Sequence, residues 1–151
     1  MSKEKQQEMK QGMKLVMDAR SENEALARMC AAVFLTRLHP TLEEMEDVKT
    51  AVSEAVTNAI IHGMPKDGKV YITCSCEGDI FHVEIEDYGV GIENIKKAME
   101  PLYTTKPEQE RSGMGFAFME AFMDELQVIS QPGQGTRIVM EKSIGFSRDK
   151  E

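Results

Sequence analysis

Residues 1–12 (MSKEKQQEMKQG) are polar and carry no apolar period, so a frayed extension is expected there. Patterning begins with MKLVMDA at 13–19, which predicts a strand. Ser21-Glu22-Asn23-Glu24 has the form of a capping box, with Ser21 at the N-cap and Glu24 at the third helical position. The apolar spacing Leu26, Met29, Val33 and Leu38 then predicts an amphipathic helix to about 38. Pro40 ends that segment, and Thr41-Leu42-Glu43-Glu44 repeats the capping signal. It opens a second helix over about 42–62, with Leu42, Met45, Val48, Val52, Ala55, Val56 and Ala59 as its apolar face and Gly63 and Pro65 as its stop.

The period then changes to two. Strands are predicted at 69–76 and 80–87, joined by Glu77-Gly78-Asp79. A short helix follows near 93–99, and residues 100–113 (EPLYTTKPEQERSG) form a polar, two-proline loop. Loops of that length in a compact domain are usually functional or disordered. A helix at 115–125 and strands at 126–131 and 136–142 complete the pattern, with 143–151 as a polar tail. No internal repeat is visible, and 13–142 reads as a single domain.

Two positions break these patterns. On the second helix, Glu54, Asn58 and His62 recur every four residues, and such positions are offset by only about 40°. They draw a polar stripe beside an apolar face. In the strand at 80–87, Phe81, Val83, Ile85 and Asp87 share one side, so Asp87 is a carboxylate on the apolar face.

Composition narrows the setting. The chain has 151 residues, 41% hydrophobic and 29% charged, a globular balance. No apolar run approaches the roughly 20 residues of a membrane span. The N-terminus lacks the apolar core of a signal peptide, so a cytoplasmic protein without membrane attachment is expected. The net charge of -8 argues against direct nucleic-acid binding. Three cysteines, Cys30, Cys74 and Cys76, offer no zinc spacing with the histidines and read as small buried hydrophobes.

The unusual positions suggest one ligand class. Gly113-Met114-Gly115 opens a helix, whose N-terminus offers free N–H groups and a positive dipole to an anion. The loop before it could bring Lys106 and Arg111 to phosphates. An inward Asp87 would be satisfied by an exocyclic amine such as adenine's, and Gly89 and Gly91 would let a flat base approach the chain. Asn58 offers a neutral oxygen to Mg²⁺, and Glu54 could take a proton from an attacking hydroxyl. Each piece has a plainer reading: a solvated helix edge for Glu54 and Asn58, ordinary turns for the glycines, a turn cap for Asp87, and a C-terminal cation for His62. There is no P-loop, no full dinucleotide fingerprint and no HRD or DFG triplet.

Glu54-x-x-x-Asn58, Asp87-x-Gly89-x-Gly91 and Gly113-x-Gly115 resemble the N, G1 and G2 boxes of the GHKL ATPase/kinase superfamily. Within it, EAVTNAIIHG (54–63) and PLYTTKPEQERSGMGFAFMEAFMD (101–124) are similar to the anti-sigma F family of endospore-forming bacteria, a likeness that runs over about 13–142. The resemblance implies an α/β (α+β) two-layer sandwich of the Bergerat ATP-binding kind, with a mixed, mostly antiparallel sheet and helices on one face. It implies ATP/ADP and Mg²⁺ as ligands. It also implies a homodimer, a sigma F-like partner to be inhibited, and an anti-anti-sigma factor phosphorylated on serine. Carried over by motif, Glu54 is the base, Asn58 the Mg²⁺ ligand, and Asp87 the reader of adenine together with Thr136. Gly89, Gly91, Gly113, Met114 and Gly115 line the nucleotide, while Thr105, Lys106, Arg111 and Ser112 belong to a lid with Arg111 toward the γ-phosphate. Glu24 and Arg28 match partner-binding positions, or form a plain i,i+4 ion pair. A stress-response anti-sigma serine kinase, a nucleotide-gated binder without turnover and a histidine-kinase catalytic domain are the alternatives.

Overall fold

The computed structural model describes residues 11–100 and 115–145. Strand β1 (Gln11–Asp18) leads into helix α1 (Asn23–Leu35), which tightens into a 3₁₀ turn at Thr36–Leu38. Helix α2 (Leu42–Asn58) widens into a π turn at Ala59–Gly63. Strands β2 (Lys69–Glu77) and β3 (Ile80–Asp87) form a hairpin. The short helix α3 (Ile95–Ala98) and helix α4 (Gly115–Phe122) precede strands β4 (Glu125–Gln131) and β5 (Gly135–Ser143).

The sheet order is β1-β2-β3-β5-β4, and all four ladders are antiparallel. The two-residue loop Gly78-Asp79 sets the β2–β3 register, pairing Glu77 with Ile80, and Gly78 supplies the required positive φ of 59°. Alternation decides the rest. Val70, Ile72, Cys74, Phe81, Val83, Ile85, Ile138 and Met140 are buried on one face with the helices. His82 and Glu84 lie on the other, where the imidazole bonds Glu141 through Nδ1 and Glu84 through Nε2, both at 2.8 Å. Burial pulls the His82 pKa down, but the two carboxylates outweigh it and the net direction is up. All three cysteines are free thiols, and burial pushes the Cys74 thiol up to about 12.

The second capping box forms as expected: Thr41 Oγ1 accepts from the Glu44 amide at 3.1 Å, and the Glu44 carboxylate accepts from the Thr41 amide at 2.8 Å. The first does not. Glu22, not Ser21, is the N-cap of α1 and makes no side-chain cap bond. The Glu24 carboxylate is instead engaged by Arg28 Nε at 2.9 Å, and the Asn23 amide donates to the Asp18 carbonyl.

The apolar face expected for α1 holds at Leu38, which packs against the core from the 3₁₀ turn, but is reversed along the helix itself. Ala27, Ala31, Phe34 and Leu35 are buried, whereas Leu26, Met29 and Val33 are 52%, 47% and 66% exposed. Alanines on the inner side let α1 approach α2 closely, and the bulkier row faces solvent. On α2 the expected face is right from Met45 onward, but Leu42 is 86% exposed because packing begins a turn later. The regular α-helix also stops at Asn58, four residues before the expected end at 62.

Candidate functional site

A cavity of about 940 Å³ opens where the end of α2, the end of β3, the segment 90–98 and the start of α4 meet. Asn58, His62, Asp87, Gly91, Lys97 and Thr136 are among its walls. Asn58 is the last residue of α2, so the helix delivers its amide to the rim. The π turn that follows is a feature often found at functional sites. It carries His62 to the wall and sets Gly63 against Asp87.

The floor is built by leaving out side chains. A Cβ on Gly63 would lie 2.8 Å from the Asp87 carboxyl atoms, and one on Gly89 only 1.7 Å from the Gly63 carbonyl oxygen. The Val90 amide donates to that same oxygen at 2.8 Å, and the Gly89 amide donates to Asp87 Oδ1 at 2.9 Å. Asp87 is 4% exposed. Burial pushes its carboxyl up to about 6, with the Gly89 N–H pulling the other way. A carboxylate this deep in a cavity calls for hydrogen-bond donors from a ligand.

Beside the floor stands Thr136, opposite Asp87 in the β3–β5 ladder. Its hydroxyl lies 2.8 Å from that of Ser130. Ser130 Oγ also accepts from the Ile92 amide and donates to the Gly135 carbonyl, each at 2.8 Å. These bonds tie the turn after Asp87 to the last hairpin. Gly91 completes the tie with φ +76°, because a Cβ there would sit 2.0 Å from the Gln131 carbonyl oxygen.

Of the residues expected from sequence, Asn58, Asp87, Gly91, Gly115 and Thr136 line the cavity, and Gly89 lies directly beneath it. Glu54 sits one turn before Asn58, half-buried and set back from the lining. Thr105, Lys106, Arg111, Ser112, Gly113 and Met114 lie outside the described residues. Glu24 and Arg28 form an ion pair on α1, with side chains 17% and 33% exposed. Four contributors were missed. Gly63 reads from the sequence as a helix stop and the end of the 54–63 motif, not as a contact. Asn94 caps α3 by accepting from the Lys97 amide at 3.0 Å, a pairing its three-residue spacing could have signalled. Lys97 adds a cation to the wall. Ser130 had no local signal at all.

Among the described residues no group of three or more His, Cys, Asp or Glu could hold a metal ion. Asn58 brings a neutral amide oxygen, the kind of donor a hard cation accepts, to the cavity wall. Among the same residues, no helix is long and apolar enough to cross a membrane.

Comparison with known proteins places the chain in a family. The family model described as "Histidine kinase-like ATPase domain" matches residues 17–142. The chain is 54% identical over 138 residues to an anti-sigma F factor of Clostridium acetobutylicum, covering 91% of this chain and 96% of that protein. It is 51% identical over 142 residues to an anti-sigma F factor of Oceanobacillus iheyensis, covering 93% and 97%. Among solved structures, the RsbU and RsbW domains of a Mycobacterium tuberculosis protein superpose with a TM-score of 0.66 at 18% identity. That match covers 89% of this chain and 32% of the other, and it speaks for the fold alone.

Proposed function

The chain belongs to the histidine kinase-like ATPase domain family and to the anti-sigma F factors, and on that premise we propose that it inhibits a sporulation sigma factor and, with Mg-ATP, phosphorylates a serine of the anti-anti-sigma factor. The observation that carries the nucleotide part is Asp87, a carboxylate buried at the floor of a cavity whose glycines leave room for a flat base. Ionised Asp87 accepts from the base's amino group. Gly91, with the start of α4 at Gly115, gives the ligand close approach to backbone. Lys97 adds positive charge to the wall.

Asn58 would hold Mg²⁺, which when bound neutralises phosphate charge. Glu54, one turn back on the same helical face, takes the proton from the attacking serine hydroxyl. The partners dock on the outside of α1 near Glu24 and Arg28, and the working form is a homodimer. The alternative is a nucleotide-gated sigma-binding protein without turnover. It is favoured by one observation, that Glu54 stands back from the cavity lining.

Calorimetry with ATP, with and without Mg²⁺, tests the site. Tight binding that requires Mg²⁺ and drops at least tenfold in Asn58→Ala is the expected result; no binding by folded protein removes the reading. Transfer of labelled phosphate to purified anti-anti-sigma factor, lost in Glu54→Gln while ATP still binds, separates the kinase from the gated binder.

A further inference from the structure

We propose that Ser130 sets the hydrogen-bond polarity of the cavity floor: it takes the Thr136 hydroxyl proton, leaves Thr136 as an acceptor beside Asp87, and so makes the site select a purine with a 6-amino group over one with a 6-oxo group. The inference deepens the nucleotide reading above and rests on it.

The direction of each bond follows from counting protons. Ser130 Oγ has three neighbours at 2.8 Å: the Ile92 amide, the Gly135 carbonyl and the Thr136 hydroxyl. An amide N–H can only donate, so one serine lone pair is taken by Ile92. A carbonyl oxygen can only accept, so the single serine proton goes to Gly135. The Thr136 contact is then a hydrogen bond only if Thr136 donates, since otherwise two oxygens would face each other lone pair to lone pair. With its proton committed to Ser130, Thr136 presents only lone pairs to the cavity it lines.

Asp87 stands opposite it across the ladder, with Oδ1 accepting from Gly89. Above its pKa the carboxylate is an acceptor as well. The floor therefore offers acceptors from both residues. An adenine amino group supplies a donor to such a floor, whereas the carbonyl of hypoxanthine in the same place adds another acceptor. Sites built around a hydrogen-bonding substrate group reject the analogue that cannot make the bond, because buried groups are left unpaired.

Neither Ser130 nor Thr136 needs to touch phosphate for this effect, so the readout is a ratio. Calorimetric titration at pH 8 would compare ATP with inosine triphosphate on the wild type, Ser130→Ala, Ser130→Thr and Thr136→Val. In Ser130→Ala the Thr136 proton is released and can turn toward the base. The wild-type preference for ATP, expected at about 100-fold, should then fall by at least about tenfold. Ser130→Thr, which keeps the hydroxyl, should restore it, and Thr136→Val should also lower it. A role limited to holding the Ile92 turn would weaken both nucleotides equally and leave the ratio unchanged, which overturns the proposal. Equal wild-type affinity for the two nucleotides overturns it too. Absence of any nucleotide binding removes the nucleotide reading and this inference together, and so is distinct from ATP binding with an unmoved ratio. Should Ser130→Ala not fold, an unchanged ratio in Thr136→Val is sufficient to reject the idea.

Discussion

In the proposed function, recognition at the floor of the cavity is prepared by what is missing, and on the outer face of α1 by what is added. Gly63, Gly89 and Gly91 bring backbone within distances that no Cβ would permit, and the Gly89 and Ile92 amides donate to Asp87 Oδ1 and Ser130 Oγ. Along α1 the reverse holds. Leu26, Met29 and Val33 stand out in solvent beside an apolar groove of about 360 Å³ lined by Met13, Cys30 and Phe34. A small ligand with few atoms is discriminated by fixed donors and acceptors, which requires a rigid, over-determined site. A protein partner supplies its own side chains, and an apolar row with a charged pair on the same helix suffices to receive it. In the proposed function the two surfaces serve the nucleotide and the protein partner, so substitutions should separate them.

The largest separation is expected from Gly89→Ala. Its Cβ would meet the Gly63 carbonyl oxygen at 1.7 Å, so the turn must move away from both Asp87 and the π turn. A loss of about 3 kcal/mol or more in denaturant unfolding is expected, together with loss of ATP binding. A wild-type midpoint with intact ATP binding would show that the floor is softer than its geometry.

Asp87→Asn comes next. ATP affinity should fall about 100-fold, since the strongest acceptor is gone, while capture of the sigma factor through α1 is retained in pull-down. Stability should move the other way. The folded carboxyl is raised to about 6 from an ordinary 3.8, so the native state holds its proton over a range where the unfolded chain has released it. Asp87 therefore favours the folded state fully below pH 3.8 and loses that contribution as pH rises through 6. Relative to wild type, the Asn variant should gain roughly 1–2 kcal/mol between pH 4 and 7. Urea titrations at both pH values check this, and a pH-independent difference would mean that Asp87 is not desolvated.

The smallest effect on the fold is expected at Val33→Asp. The side chain is 66% exposed, so unfolding should shift by no more than about 0.5 kcal/mol. Calorimetry should show ATP binding unchanged, and partner capture should weaken. Unimpaired capture would move the docking surface off this row.

The same two regions show what the sequence could disclose. The Thr41 box, the β2–β3 hairpin and the inward Asp87 were legible because each rests on neighbours a few residues apart. The direction of α1 was not. A helical period marks an apolar face by contrast with a polar one, and α1 has apolar residues on two flanks: Ala27, Ala31, Phe34 and Leu35 within, and Leu26, Met29 and Val33 without. Reading the bulkier row as the buried one failed because close helix packing favoured the alanines. Ser130 could not be read either, since its Ile92 partner is 38 residues away and meets it only once β4 pairs with β5. Gly63 was visible as a residue but not as a contact, because what it makes room for is Asp87 on another strand.

The π turn at Ala59–Gly63 makes the length of this stretch a constraint in its own right. It holds one residue more than a continuing α-helix would use for the same advance. Deleting one position between Asn58 and Gly63 would let regular winding resume, but each residue after the deletion would turn by about 100° about the axis. The position facing Asp87 would then no longer be the Cβ-free one. A substitution along this stretch changes one side chain, whereas the gain or loss of a single codon there would shift every later position and undo the floor of the cavity.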